Sequence, residues 1–219
     1  MPITTQTKFV FLMHPKEFKQ EKAGTGRLAH LCLAGSEIHM GIAFDQHEAV
    51  QDLLRDPSYF PMLLYPGEQA HNLSQSSPHL GDMSGRRLLV ILLDATWSGA
   101  RKMLRLSPSL QKLPRIMFTP SAPSRYVIKQ QPQEGCLSTL EATHELLVCL
   151  ERAGLDRYER PEQLHGLFDR MQAFQIRCAC DSSLGGYRRR AYSEPGQRVA
   201  PQGRSGARRT RYLKQPLID

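Results

Sequence analysis

Apolar and polar residues alternate in blocks along the chain, and the blocks read in turn as strands and helices. The longest apolar block runs from Leu88 to Leu93 and stops at Asp94-Ala95-Thr96-Trp97-Ser98. An unbroken run of this kind suits a strand covered on both faces, as parallel strands are. Phe9–Met13, Ile38–Gly41, Met62–Tyr65 and the stretch between Pro114 and Pro120 are further strand-like runs bounded by turn residues. Between them apolar residues recur at helical spacing. Leu28, Leu31 and Cys32 mark a helix over 25–34 that stops at Gly35, and Ala49, Val50, Leu53 and Leu54 mark another over 46–55. A third runs from Ser98 to Arg105 and ends before Pro108. Residues 70–86, rich in Ser, Gly and His, read as a loop, and Tyr126–Ile128 as a short extended piece. Ser138 with Glu141 three positions on predicts a capping box, opening a helix whose stripe is Leu140, Leu146, Leu147 and Leu150. A last helix, Pro161 to about Arg177, carries Leu164, Leu167, Phe168, Met171 and Phe174. Strands alternating with helices predict an α/β domain, a mainly parallel sheet with helices on both faces.

Asp94 falls at the carboxyl end of the longest strand, where open α/β sheets place their ligand crevices. Asp94 or Ser98 is alternatively a cap for the helix that follows. Two other segments are expected at the same edge: Tyr65-Pro66-Gly67-Glu68, and Thr119-Pro120 leading to Leu137-Ser138-Thr139-Leu140. Strand ends and helix starts leave backbone N–H groups free to hold a nucleotide-like or carboxylate-bearing ligand. The pattern therefore predicts a small-molecule pocket. Neither a GxGxxG nor a GxxxxGK[ST] motif is present, so a Rossmann dinucleotide site and a P-loop are not indicated.

Charge changes the picture at one end only. The 219 residues carry a formal +8, yet residues 185–219 hold nine Lys and Arg against Glu194 and Asp219. The expected organisation is one domain over 1–184 and a flexible basic tail over 185–219, with Arg188, Arg189 and Arg190 at its start. An arginine-rich arm fits the phosphate backbone of a nucleic acid. No apolar run reaches the roughly 18–20 residues of a membrane span, and Met1-Pro2-Ile3-Thr4-Thr5-Gln6 lacks the layout of a secretory signal, so a cytoplasmic location and no membrane partner are expected. The five cysteines show no CxxC pair. Cys32 and Cys149 are expected in the core, and Cys178-Ala179-Cys180 is a weak metal signal, so no metal is expected.

Four segments carry a family resemblance. Asp94-Ala95-Thr96-Trp97-Ser98 with Ala100-Arg101-Lys102-Met103 resembles the D-x-T-W core of the DTW-domain family. Ser124-Arg125-Tyr126-Val127-Ile128-Lys129-Gln130-Gln131-Pro132 is similar to its S-x-Y-x-basic-x-Q-P element, and Leu137-Ser138-Thr139-Leu140-Glu141-Ala142 to its L-S-T-[LI]-E-A helix start. Tyr65-Pro66-Gly67-Glu68 resembles its upstream loop. The segments run from Tyr65 to Ala142, and the resemblance they carry extends over roughly residues 9–175. Many members carry a cysteine cluster before the first strand, whereas no cysteine precedes Cys32 here, and relatives often have Gly at the position of Ala95.

The resemblance implies a SPOUT-like fold with a trefoil knot and a tRNA-uridine aminocarboxypropyltransferase. Such enzymes move the 3-amino-3-carboxypropyl group of S-adenosylmethionine to N3 of uridine (acp3U) and release methylthioadenosine. On this basis Tyr65, Pro66, Gly67, Leu93, Asp94, Thr96, Thr119, Leu137, Ser138, Thr139 and Leu140 are expected to hold the group donor. Asp94 is expected to accept the N3 proton or to orient the base. Trp97, Arg101, Lys102, Arg105, Arg125, Tyr126, Lys129, Gln131 and Arg188–Arg190 are expected to meet tRNA. Two alternatives remain at this stage: a SPOUT-like RNA methyltransferase using the same donor, and a basic RNA-binding protein without catalysis. Which uridine is used, and the oligomeric state beyond a possible monomer, are not encoded in these patterns.

Overall fold

The computed structural model describes residues 1–20, 23–75, 83, 85–127 and 135–180. Ile128, Lys129, Gln131, Arg188, Arg189, Arg190 and the whole 185–219 tail, with the boundary drawn at 184, lie outside the described residues.

Six strands form one sheet: Lys8–Met13 (β1), Glu37–Met40 (β2), Tyr59–Leu64 (β3), His71–Asn72 (β4), Arg87–Asp94 (β5) and Arg115–Met117 (β6). Every pairing is parallel, and the spatial order is β2-β1-β5-β3-β6-β4. The helices are Pro15–Gln20 (α1), Thr25–Cys32 (α2), Glu48–Arg55 (α3), Trp97–Arg105 (α4), Pro108–Gln111 (α5), Thr139–Arg152 (α6) and Pro161–Cys180 (α7).

The six-residue run of β5 is buried on both faces, and its side chains divide with period two. Leu88, Val90 and Leu92 face one core with Phe9 and Phe11 of β1, covered by Ala29 of α2, Leu146 and Leu150 of α6 and Leu164 and Phe168 of α7. Leu89 and Ile91 face the other with Val10 and Leu12, covered by Val50 of α3, Met103 and Leu104 of α4 and Leu110 of α5. Helices thus cover both faces, as expected.

Several elements depart from the sequence reading. Strand β3 begins at Tyr59, not Met62, and contains Pro61. A proline has no N–H to give a neighbour, and the residue is tolerated because β6 joins β3 only from Leu63 onward. The 70–86 loop contains the two-residue β4, held beside β6. Tyr126 and Val127 belong to no strand. α1 and α5 are six and four residues long, too short for periodicity to reveal.

Position in the sheet matters most for β5. It lies between β1 and β3, with Met13 opposite Asp94 and Leu64 opposite Leu92. Connections leave β1 towards β2 and β3 towards β4, in opposite directions from the centre, which is where a crevice opens beyond the strand ends.

Candidate active site

A cavity of about 330 Å³ opens at that edge. Small-molecule sites usually span ~300–1,000 Å³. Its wall combines the ends of β3 (Leu64, Tyr65, Pro66), β5 (Leu92, Leu93, Ala95) and β6 (Met117, Phe118, Pro120) with Trp97 and Ala100 of α4. Gly135, Cys136, Leu137, Thr139 and Ala142 close it from the side of α6. The wall is largely apolar, so the few polar groups on it decide orientation.

The Asp, Thr and Trp of the D-x-T-W segment do three different things. Trp97 lines the cavity and is 42% exposed, standing at its mouth. Thr96 is the N-cap of α4, its Oγ1 accepting from Gly99 N at 3.2 Å, so neither Asp94 nor Ser98 is the cap. It does not line the cavity. Asp94 is buried behind the wall at 7% exposure. Its Oδ1 accepts the Thr139 hydroxyl at 2.5 Å. On the other side the carboxylate abuts α2 so closely that a Cβ at Gly26 would overlap it. The carboxylate therefore sits at the first turns of α2 and α6 together, where helix N-termini favour negative charge. Thr139, not Asp94, reaches the cavity surface.

Thr139 is held there by the capping box. Ser138 Oγ accepts from Glu141 N at 3.3 Å, and Glu141 Oε2 accepts from Ser138 N at 2.9 Å. Buried Glu141 also takes Arg125 N at 2.7 Å and the Ser124 hydroxyl at 2.9 Å, which ties the 124–126 segment to α6.

Of the residues expected to hold the donor, Tyr65, Pro66, Leu93, Leu137 and Thr139 line the cavity. Gly67, Asp94, Thr96, Thr119, Ser138 and Leu140 do not: Ser138 is used in its cap, Leu140 is wholly buried, and Thr119 Oγ1 accepts from Asn72 Nδ2 at 3.0 Å. Of those expected to meet RNA, Arg101, Lys102 and Arg105 are exposed along α4. Arg125 pairs with Asp169 of α7 at 3.0 Å. Tyr126 departs from the expectation of a stacking platform. It is a core residue whose ring meets Phe168 edge-on at 5.1 Å.

The sequence reading missed Arg115. Its guanidinium lies 5.8 Å from the centre of the Tyr65 ring, and its Nη1 lies 3.0 Å from where a Cβ at Gly67 would be. Burial pushes the Tyr65 phenol up, while Arg101 by charge and hydrogen bonding, and then Arg115 by charge, pull it back. Only its register opposite Leu63 brings Arg115 here, and no local motif announces that. Cys32, Cys136, Cys149 and Cys178 form no disulfide, and burial raises the Cys32 and Cys149 thiols away from reactivity. Among the described residues no three His, Cys, Asp or Glu gather as metal ligands, and no helix is long and apolar enough to cross a membrane.

Residues 1–176 match the model of the DTW domain. The chain is similar to the tRNA-uridine aminocarboxypropyltransferase 2 of Drosophila melanogaster, 31% identical over 169 residues, covering 76% of this chain and 65% of that protein. Against the protein of the same name from Mus musculus it is 31% identical over 183 residues, covering 80% and 59%. For Macaca fascicularis the figures are 27% over 194 residues, 84% and 61%. The chain spans less than two thirds of the length of these relatives. No solved structure matches it.

Proposed function

The chain belongs to the DTW domain family, and from that premise we propose that it is a tRNA-modifying transferase. In full, it moves the 3-amino-3-carboxypropyl group of S-adenosylmethionine to N3 of a tRNA uridine and releases methylthioadenosine. The observation that carries this is the cavity beyond β3, β5 and β6, walled by the D-x-T-W and L-S-T segments. The sheet order, with β5 entering between β1 and β3, supports a SPOUT-type arrangement, which we take to include its knot.

The donor fits the residues present. The cavity has the volume of a small-ligand site, apolar walls for an adenine ring at Trp97 and Leu137, and the amino end of α6 at one side. When bound, S-adenosylmethionine supplies an electrophilic carbon beside its sulfonium. The chain's own residues do the rest by placement. Thr139 Oγ1 gives its hydrogen to Asp94, so its lone pairs are left to accept an N–H from a base in the cavity. Asp94 works through Thr139 in this scheme, fixing the hydroxyl rotor and drawing electron density onto its oxygen. N3 of uracil is a weakly acidic imide: its proton passes to Thr139 Oγ1 as the Thr139 proton passes to the Asp94 carboxylate, which ends as the neutral acid. The part of the Trp97 ring that is exposed at the mouth is left for the entering base to pack against. In-line presentation of one carbon to N3 selects which group moves.

The test is direct. Purified protein, S-adenosylmethionine and unmodified tRNA should yield a uridine heavier by one aminocarboxypropyl group, read by nucleoside mass spectrometry. A single methyl gain would establish the methyltransferase alternative. Binding without any mass change would establish a non-catalytic RNA-binding protein.

A further inference from the structure

Two arginines act on Tyr65, Arg115 with its guanidinium 5.8 Å from the ring centre and Arg101 by charge and hydrogen bonding to the phenol. Arg101 comes from the second turn of α4, and Arg115 from the first position of β6. Neither makes an ion pair among the described residues. Arg115 is only partly exposed and is pinned between the Tyr65 ring and the Gly67 backbone. Its planar fork is therefore set in place before any ligand arrives, which lowers the entropy lost on binding. A guanidinium held in place with no ion pair among the described residues, beside a second arginine, suits an anion.

The anion's source follows from where the pair sits. Neither guanidinium is part of the cavity wall, although Tyr65 is, so a small molecule held inside meets Tyr65 and not the two arginines. A strand of nucleic acid, by contrast, enters with one nucleotide and leaves its neighbours outside. Trp97, Arg101 and Arg105 fall at four-residue intervals on one face of α4. They make a track that leads outward from the cavity mouth, rising about 6 Å per step.

We propose that Arg101 and Arg115, both beside Tyr65, seat one backbone phosphate of the RNA, next to the nucleotide that enters the cavity. This rests on the tRNA-modifying role proposed above. The seat assigns Arg115 to RNA positioning, and Gly67 leaves its Nη1 room, since a Cβ there would meet it at 3.0 Å and push it aside.

Full-length protein and its Arg115→Gln, Arg115→Lys and Arg101→Gln variants would be titrated with a tRNA transcript over a series of salt concentrations. S-adenosylmethionine affinity would be measured in parallel. Each glutamine variant should bind tRNA more weakly and flatten the log–log salt slope, by no more than the roughly 0.7–0.9 of the single phosphate contact that the two arginines share. Arg115→Lys should keep the slope, because it keeps the charge. Donor affinity should not change in any of them. An unchanged slope in both glutamine variants would overturn the seat. So would a loss of donor affinity in Arg115→Gln with the slope intact, since that result gives the pair to the donor's carboxylate. Should Arg115→Gln fail to fold, Arg101→Gln on the exposed face of α4 decides by the same slope. If the unaltered chain showed salt-dependent tRNA binding but no nucleoside product, the transferase proposal would fall while the phosphate seat stood.

Discussion

Asp94 and Thr139 form one unit whose exposed end is a hydroxyl oxygen. Asp94→Asn keeps a hydrogen-bond acceptor but removes the charge, so donor affinity should persist while transfer falls by ~10²–10⁴-fold, the range for a lost proton acceptor. Thr139→Val should cost about as much, and the double variant no more than the worse single, since residues acting in series are not additive. Losses that multiply would show Asp94 acting on substrate without Thr139. His144 offers a residue-scale prediction outside the site. It is buried, 2.9 Å from the Tyr158 hydroxyl through Nδ1, with the His165 ring 3.9 Å away. Burial and then the His165 neighbour pull it down to about 4 from 6.5, with Glu145 opposing. The unfolded chain therefore takes up this proton first as pH falls. His144 imposes no penalty above about pH 6.5, costs stability progressively on acidification towards pH 4, and adds nothing further below. Urea midpoints at pH 7 and pH 4.5 should differ less in His144→Gln than in the unaltered chain. Asp94 and Thr139 were visible as motif members, yet their contact was not. Gly26 and Arg115 carried no local signal at all, because sequence separation hides which residues a fold brings together.

At the scale of elements, the caps hold the cavity's walls at fixed angles. Thr96→Ala should lower stability by about 1 kcal/mol, a typical cost for a lost N-cap, and Thr96→Ser should recover most of it, both read by denaturant unfolding. The donor affinity of Thr96→Ala should hold, because Thr96 lies outside the cavity wall. Helix α6 was legible before any coordinates, since Ser138 and Glu141 stand at capping-box spacing and four leucines continue the stripe. β5 was legible because a strand buried on both faces has an unmistakable composition. Its neighbour β3 was cut short by Pro61, whose tolerance depends on how far β6 extends, a fact of pairing rather than of β3 itself. Short pieces such as α1, α5 and β4 offer too few residues for a period to emerge.

For the whole molecule, the described body and the basic tail invite separate tests. Nearly all of the +8 lies after residue 184, and every residue that lines the cavity comes before 143. Deleting the tail after Ser183 should weaken tRNA binding and flatten its salt dependence while leaving donor affinity unchanged. An unchanged slope would show that the tail does not touch RNA. The two-layer covering of the sheet was readable from alternation of strands and helices, but the strand order was not, because local pattern carries no information about neighbours eighty residues away. That order has a consequence for how the chain is born. β1 and β3 are made before β5, the strand that joins them, with Lys8 waiting for Leu89 and Tyr59 for Arg87. Until residues 87–94 leave the ribosome, both carry apolar edges open to pairing with other chains. The strand that ends in Asp94 is thus also the keystone of assembly. A slow codon stretch that delays its arrival, or a substitution that weakens its pairing, should lower soluble yield before it alters any property of the finished protein, and a chaperone that covers the open edges should restore it.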